Sequence, residues 1–316
     1  MSHKTNTPAL TCIVSLFTSL AQAGTVAEMG GPPHPEALLA TRDTPLTPSE
    51  FLNRIGTVFA DFDEQDSGNV SFGVTAGSRR FFVKTPGAPE THTPLPHPRR
   101  VDLLLNAAKL AQDVVSPALP PLLNRIQSPH GPMLVFEWCH GDLLAAAAHL
   151  RALPDSPSSR FKSLSLDKIC RALATVFDAH ATLAEEGWIA SDFYDGSLIY
   201  DFATNRVHLI DLDHYRQGPF INGMGRMFGS RRFMAPEELS LGATIDERTT
   251  VFNMGRCITT FLHDSCTSLR SLPAEAILEI EARACHSDPN RRFDSMAQFC
   301  RAWHAASESL LSERAG

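Results

Sequence analysis

Residues 187–215, GWIASDFYDGSLIYDFATNRVHLIDLDHY, constrain this chain more than any other stretch. Two short apolar runs, 197–202 and 206–212, are rich in Leu, Ile, Val and Tyr and are separated by Ala203, Thr204 and Asn205. Runs of this kind joined by small or polar residues predict a β-hairpin. Asp192 and Asp195 precede the hairpin, and Asp211 and Asp213 follow it. A hairpin brings its ends together, so these four carboxylates are expected to converge. Converging like charges repel, and burying them unpaired is costly. A divalent cation with a phosphate-bearing ligand would relieve that cost, and oxygen-rich ligation of this kind suits Mg²⁺.

Composition sets the outer bounds. The 316 residues allow one or two domains, with the hydrophobic fraction, 43%, of an ordinary globular protein. A net charge of −7 without a basic block argues against nucleic acid or an anionic membrane as main partner. Seven scattered cysteines, with no C-x-x-C pair, argue for free thiols in a reducing compartment and against zinc or a disulfide framework. Residues 1–46 read as a disordered or processed N-terminal segment. Within it the apolar run 9–20, with Lys4 before it and Ala21-Gln22-Ala23 after it, is similar to a secretory signal. The run is too short to span a bilayer. A single basic residue ahead of it favours the alternative, a cytoplasmic protein with a chance apolar patch.

Periodicity predicts the remaining elements. A helix over 47–58 starts at a Thr47/Glu50 capping box. Strands follow at 59–65 and 70–83, around the turn Asp66-Ser67-Gly68-Asn69, then a helix over 99–115 and strands at 119–123 and 133–136. Residues 152–165 read as a surface loop, and 167–186, 251–262 and 295–306 as helices before a frayed tail, 307–316.

Read together, these segments resemble the eukaryotic-type Ser/Thr protein kinase superfamily. Asp192 matches the catalytic-loop Asp, Asp211 the Asp of D-F-G, Phe233-Met234-Ala235-Pro236-Glu237 the A-P-E segment, and Asp288-Pro289-Asn290-Arg291-Arg292-Phe293 the late D-P-x-x-R-F. Phe81-Phe82-Val83-Lys84 resembles V-A-I-K. The resemblance spans residues 70–303. It implies an α+β, bilobal fold, with a small β-rich N-lobe at 47–136 and a larger helical C-lobe at 137–306. It implies ATP as phosphoryl donor, with Mg²⁺ or Mn²⁺, and a protein hydroxyl as acceptor. Asp192 and Lys84 would be catalytic. Gly68, Val70, Lys84, Phe136, Glu137 and Cys139 would line the ATP site, and Asp211, Asp195, Ser197 and Asp213 would hold metal. Gly141-Asp142-Leu143 resembles the start of the first C-lobe helix, and Glu237 with Arg292 the buried ion pair of that lobe.

Several positions depart from the family pattern. Asp63 and Gln65 stand where phosphate-loop glycines are expected, and Asn106 lies where a helix Glu would pair with Lys84. Asp102, Asp211 or ATP alone remain as partners for Lys84. Tyr194 replaces the catalytic-loop Lys, a charge that Arg226, Arg231 or Arg232 could restore. Thr250 replaces the helix Asp that braces the catalytic loop, with Asp246 as a substitute. Three function classes therefore compete. They are a divergent Ser/Thr protein kinase, a pseudokinase that binds nucleotide or a partner without turnover, and a small-molecule kinase. The 214–237 segment argues against the last, and the retained Lys84, Asp192 and Asp211 favour the first.

Overall fold

The computed structural model describes residues 35–63, 67–145, 151, 153–269 and 271–315. The apolar run 9–20, Gln65 and Asp66 lie outside the described residues. Helix α1 (Pro35–Ala40) leads into α2 (Pro48–Ile55), whose start carries the expected box: the Thr47 N–H donates to Glu50 at 2.9 Å. Strands β1 (Thr57–Phe62), β2 (Val70–Ala76) and β3 (Arg79–Thr85) follow, then α3 (His97–Asp113), β4 (Leu122–Ser128) and β5 (Gly131–Glu137). The run read as one strand over 70–83 is a hairpin, broken at Gly77-Ser78. All five strands pair antiparallel in the order β1-β2-β3-β5-β4.

Each face of that sheet has its own cover. Phe72, Val74, Phe81, Val83, Ile126, Met133 and Val135 bury against Leu38, Phe51 and Leu52 of α1 and α2. On the other face Leu134 and Phe136 meet Leu104, Ala107 and Ala108 of α3. Side chains alternate along a strand while register partners share a face. Lys84 is in register with Leu134, so it emerges on the α3 face.

The rest of the chain builds a larger, mainly helical core. Its elements are β6 (Asp142–Leu143), α4 (Pro157–Lys162), α5 (Leu166–Glu185), β7 (Trp188–Ile189), β8 (Leu198–Asp201), β9 (Arg206–Leu209), β10 (Arg216–Gln217), β11 (Phe220–Ile221), β12 (Thr244–Ile245), α6 (Glu247–Phe261), α7 (His263–Leu269), α8 (Leu272–Ala284) and α9 (Met296–Ala315). Phe177 of α5 meets Phe299 and Trp303 of α9 edge-on, with ring centroids 4.9 and 5.0 Å apart. Strands β6, β8 and β9 form a small sheet, while β7 pairs with β10 and β11 with β12.

Three expectations are corrected here. Asp142 and Leu143 form a strand on β8 rather than a helix start. The segment read as a surface loop contains α4, whose Phe161 is buried between Tyr200 and Phe261. The tail read as frayed continues α9 to Ala315, because Leu310 is fully buried in the helical core. The Glu237–Arg292 pair stands as expected. The guanidinium donates two bonds, at 2.6 and 2.9 Å, to a carboxylate 55 positions away, with both side chains buried. No helix among the described residues is long and apolar enough to cross a membrane, and their six cysteines are free thiols.

Candidate active site

The predicted hairpin is β8–β9, and its chemistry is local. The Asp201 carboxylate accepts from the Ala203 and Thr204 N–H groups, and Asn205 takes the left-handed conformation, φ 56°. At the open end the Ile210 N–H donates to the Ser197 carbonyl at 2.8 Å, so residues 192–197 and 210–213 are neighbours. Asp192 and Asp211 both have positive φ, 64° and 62°. That conformation costs a non-glycine residue energy and clusters at functional sites.

Lys84 is the focus. Its ammonium, in a side chain only 8% exposed, lies 2.8 Å from Asp211 and 2.5 Å from Asp213. Burial alone would favour the neutral amine, but the two carboxylates outweigh it and raise the pKa. Lys84 in turn holds Asp211 below the usual carboxylate range, whereas burial pushes Asp213 up. Asp102 is not a partner; it sits at the surface beside Arg99.

Asn106, where an acid was missing from α3, holds the loop instead of the lysine. Its amide donates to the carbonyls of Asp213 at 2.9 Å and Tyr215 at 2.6 Å. From β2, the Asn69 amide donates to the Asp213 carboxylate at 3.4 Å, and its buried Oδ1 has no hydrogen-bond partner.

Asp192 faces the same space. Its pKa is raised well above the usual value by burial and then by Asp211, Glu238 and Asp213. Gly229 lies against it: a Cβ there would sit 3.3 Å from the Asp192 carboxylate, on a backbone with φ +118°. The His214 ring is 3.8 Å away, and burial lowers its pKa.

Two predicted metal ligands are not brought to Lys84. Asp195 is buried in the single turn Asp195–Ser197 and is paired with Arg232 at 2.5 Å. Ser197 is fully buried, with its hydroxyl turned back onto the Tyr194 N–H. Arg232 is thereby committed, and neither Arg226 nor Arg231 pairs with a carboxylate among the described residues. The brace on the segment that leads to Asp192 also differs from expectation. Thr250 itself accepts from the Ala190 N–H at 3.0 Å, while Asp246 caps its own helix through Arg248.

The sheet side of the site is shifted by one residue. Val70 packs toward the α1/α2 face, and the Lys84 face carries its neighbour Ser71, in register with Lys84. A one-residue slip reverses every side chain. Gly68, at φ +78°, closes over Thr93 so tightly that a Cβ would come within 2.4 Å, and its carbonyl accepts from the buried Arg100 at 2.7 Å. Phe136 stays on the Lys84 face, in register with Phe82. Sequence inspection missed the partly exposed aromatic cluster to which its register partner Phe82 belongs: Phe59, Phe62, Phe82 and Trp138, with ring centroids 4.9 to 6.5 Å apart. The signal was present in the strand spacing, since Phe62 pairs with Ser71. At the end of β5 Glu137 is exposed, its N–H donating to the Pro121 carbonyl, and burial raises the half-buried Cys139 thiol to about 12.

Behind the site, His180 is fully buried. The Val176 carbonyl can only accept, so Nδ1 carries the proton and Nε2 accepts from the Tyr215 hydroxyl, each at 2.8 Å. Burial lowers its pKa from 6.5 to about 4. The unfolded chain therefore takes up this proton first, and stability is expected to fall as pH drops from about 6.5 to about 4, by roughly 3 kcal/mol at the low end. Urea unfolding of the protein and of His180→Gln across this range checks it; identical pH slopes would refute the assignment.

No protein-family model matches this sequence, and neither does any curated protein.

Proposed function

We propose that the chain is an ATP-dependent phosphotransferase with a bilobal, protein-kinase-like fold, acting as a divergent Ser/Thr protein kinase. The observation that carries this reading is Lys84 bracketed by Asp211 and Asp213, with Asp192 facing the same space. The two cores support two lobes, and the aromatic cluster on the Lys84 face supplies flat apolar surface suited to a purine.

Among the described residues no group of three or more His, Cys, Asp and Glu side chains is placed to hold a metal ion alone. Asp211 and Asp213, with the unpartnered Oδ1 of Asn69 nearby, nevertheless fit Mg²⁺ or Mn²⁺, which commonly takes one or two carboxylates and completes its shell with water and substrate phosphate. A bound ion would neutralise charge on the phosphates. Lys84 would anchor the phosphate oxygens as a fixed cation. Asp192 would accept the proton of the attacking hydroxyl while the oxygen–phosphorus bond forms and ADP leaves.

One observation favours the second reading, a pseudokinase: Asp195, a candidate ligand, is spent on Arg232. A transfer assay with γ-labelled ATP, Mg²⁺ or Mn²⁺ and the purified chain separates the two, with Asp211→Asn as control. ATP with Mg²⁺ is expected to raise the melting temperature of a kinase and of a nucleotide-binding pseudokinase alike, by mass action on the folded state. No shift at millimolar ATP would remove the kinase and the nucleotide-binding pseudokinase, leaving only a module that binds a partner.

A further inference from the structure

Segment 214–241 carries four arginines, Arg216, Arg226, Arg231 and Arg232, and two glutamates, Glu237 and Glu238. Both glutamates are buried: Glu237 binds Arg292, and Glu238 accepts from the Ala235 N–H and Asn253. The outward charge of the segment is therefore wholly positive, in a chain of net charge −7. Among the arginines Arg232 is neutralised by Asp195, while Arg226 and Arg231 are exposed without an ion pair among the described residues.

The same segment displays apolar surface. Ile221, Met224, Phe228, Leu239 and Leu241 are 42% to 73% exposed, half of the large exposed apolar side chains among the described residues. The two runs that carry them lie side by side, the Met227 N–H donating to the Glu238 carbonyl at 2.9 Å and the Gly242 N–H to the Asn222 carbonyl at 2.8 Å, and apolar side chains exposed together mark interaction sites. The patch is also held in place. Met227 and Met234 pack on Ile189 and Ile245, and Asn222 donates to the carbonyls of Gly225 and Glu237. It is continuous with the candidate active site. The Phe228 ring lies 5.0 Å from that of His214, and Gly229 lies against Asp192.

We infer that segment 214–241 docks the acceptor, a peptide whose Ser or Thr is flanked by acidic and aliphatic residues. The inference rests on the phosphotransferase reading and names its substrate class. Charge complementarity selects the occupant: Arg226 and Arg231 attract carboxylates and repel a basic peptide. Phe228 and Met224 offer contact for aliphatic side chains.

The test is fluorescence anisotropy with the full chain and two dye-labelled peptides, measured without nucleotide. One peptide carries a serine among glutamates and leucines; the other replaces each glutamate by arginine. The acidic peptide is expected to bind roughly tenfold tighter, with the preference shrinking from about 50 mM to about 500 mM salt as screening grows. Arg226→Glu with Arg231→Glu should abolish the preference and leave the ATP-induced melting shift unchanged. Equal binding, a preference for the basic peptide, or self-association that is lost in the double variant would overturn the docking surface. An intact peptide preference with no ATP shift would instead overturn the phosphotransferase reading alone.

Discussion

Asp192→Asn is expected to lower phosphoryl transfer by roughly 10²- to 10⁴-fold, the usual contribution of a positioned general base, while ATP binding stays near the wild-type level. The same substitution should stabilise the fold at neutral pH. Burial and the Asp211, Glu238 and Asp213 charges raise the pKa of Asp192 far above 3.8, so its ionised form opposes folding. The sign follows from linkage. The native state retains this proton where the unfolded chain has lost it, so stability falls as pH rises above about 3.8 toward the native value. A neutral amide removes that penalty, and the gain should vanish below about pH 4. Melting curves at pH 4 and 7, beside single-turnover transfer, measure both effects. Unchanged transfer, or a variant less stable than wild type at neutral pH, would show that Asp192 does not have this role.

Arg292→Ala is the largest expected loss of stability, on the order of 3–5 kcal/mol, because it strands the buried Glu237 carboxylate. Glu237 has further ties, notably the Thr249 hydroxyl at 2.8 Å, but these neutral bonds cannot compensate a charge out of water. For a domain of this size that loss corresponds to a fall of roughly 10 °C in melting temperature. Replacing both partners, Glu237→Leu with Arg292→Met, should recover a substantial part of it, since no unpaired charge then remains. Equal losses in the single and double variants would mean that packing, rather than the ion pair, carries the stability.

Local chemistry was legible in the chain by itself. The Thr47/Glu50 box, the Asp201–Asn205 turn, the apolar face of α5 and Lys84 at the end of an apolar strand each depend on residues a few positions apart. The pairing of Glu237 with Arg292 was also readable, but only through motif order along the chain. What tertiary structure alone decided was which side chains meet. Asp213 rather than Asp195 joins Asp211 on Lys84, because the turn at 195–197 directs Asp195 to Arg232, 37 positions away. Asn106 holds the loop that carries Asp213 from 107 positions away, and Thr250 holds Ala190 across 60. The exchange of Val70 for Ser71 on the Lys84 face turns on a single step of register. Sequence pattern sets secondary structure through neighbours along the chain, whereas a site is assembled by register and packing between segments far apart in it.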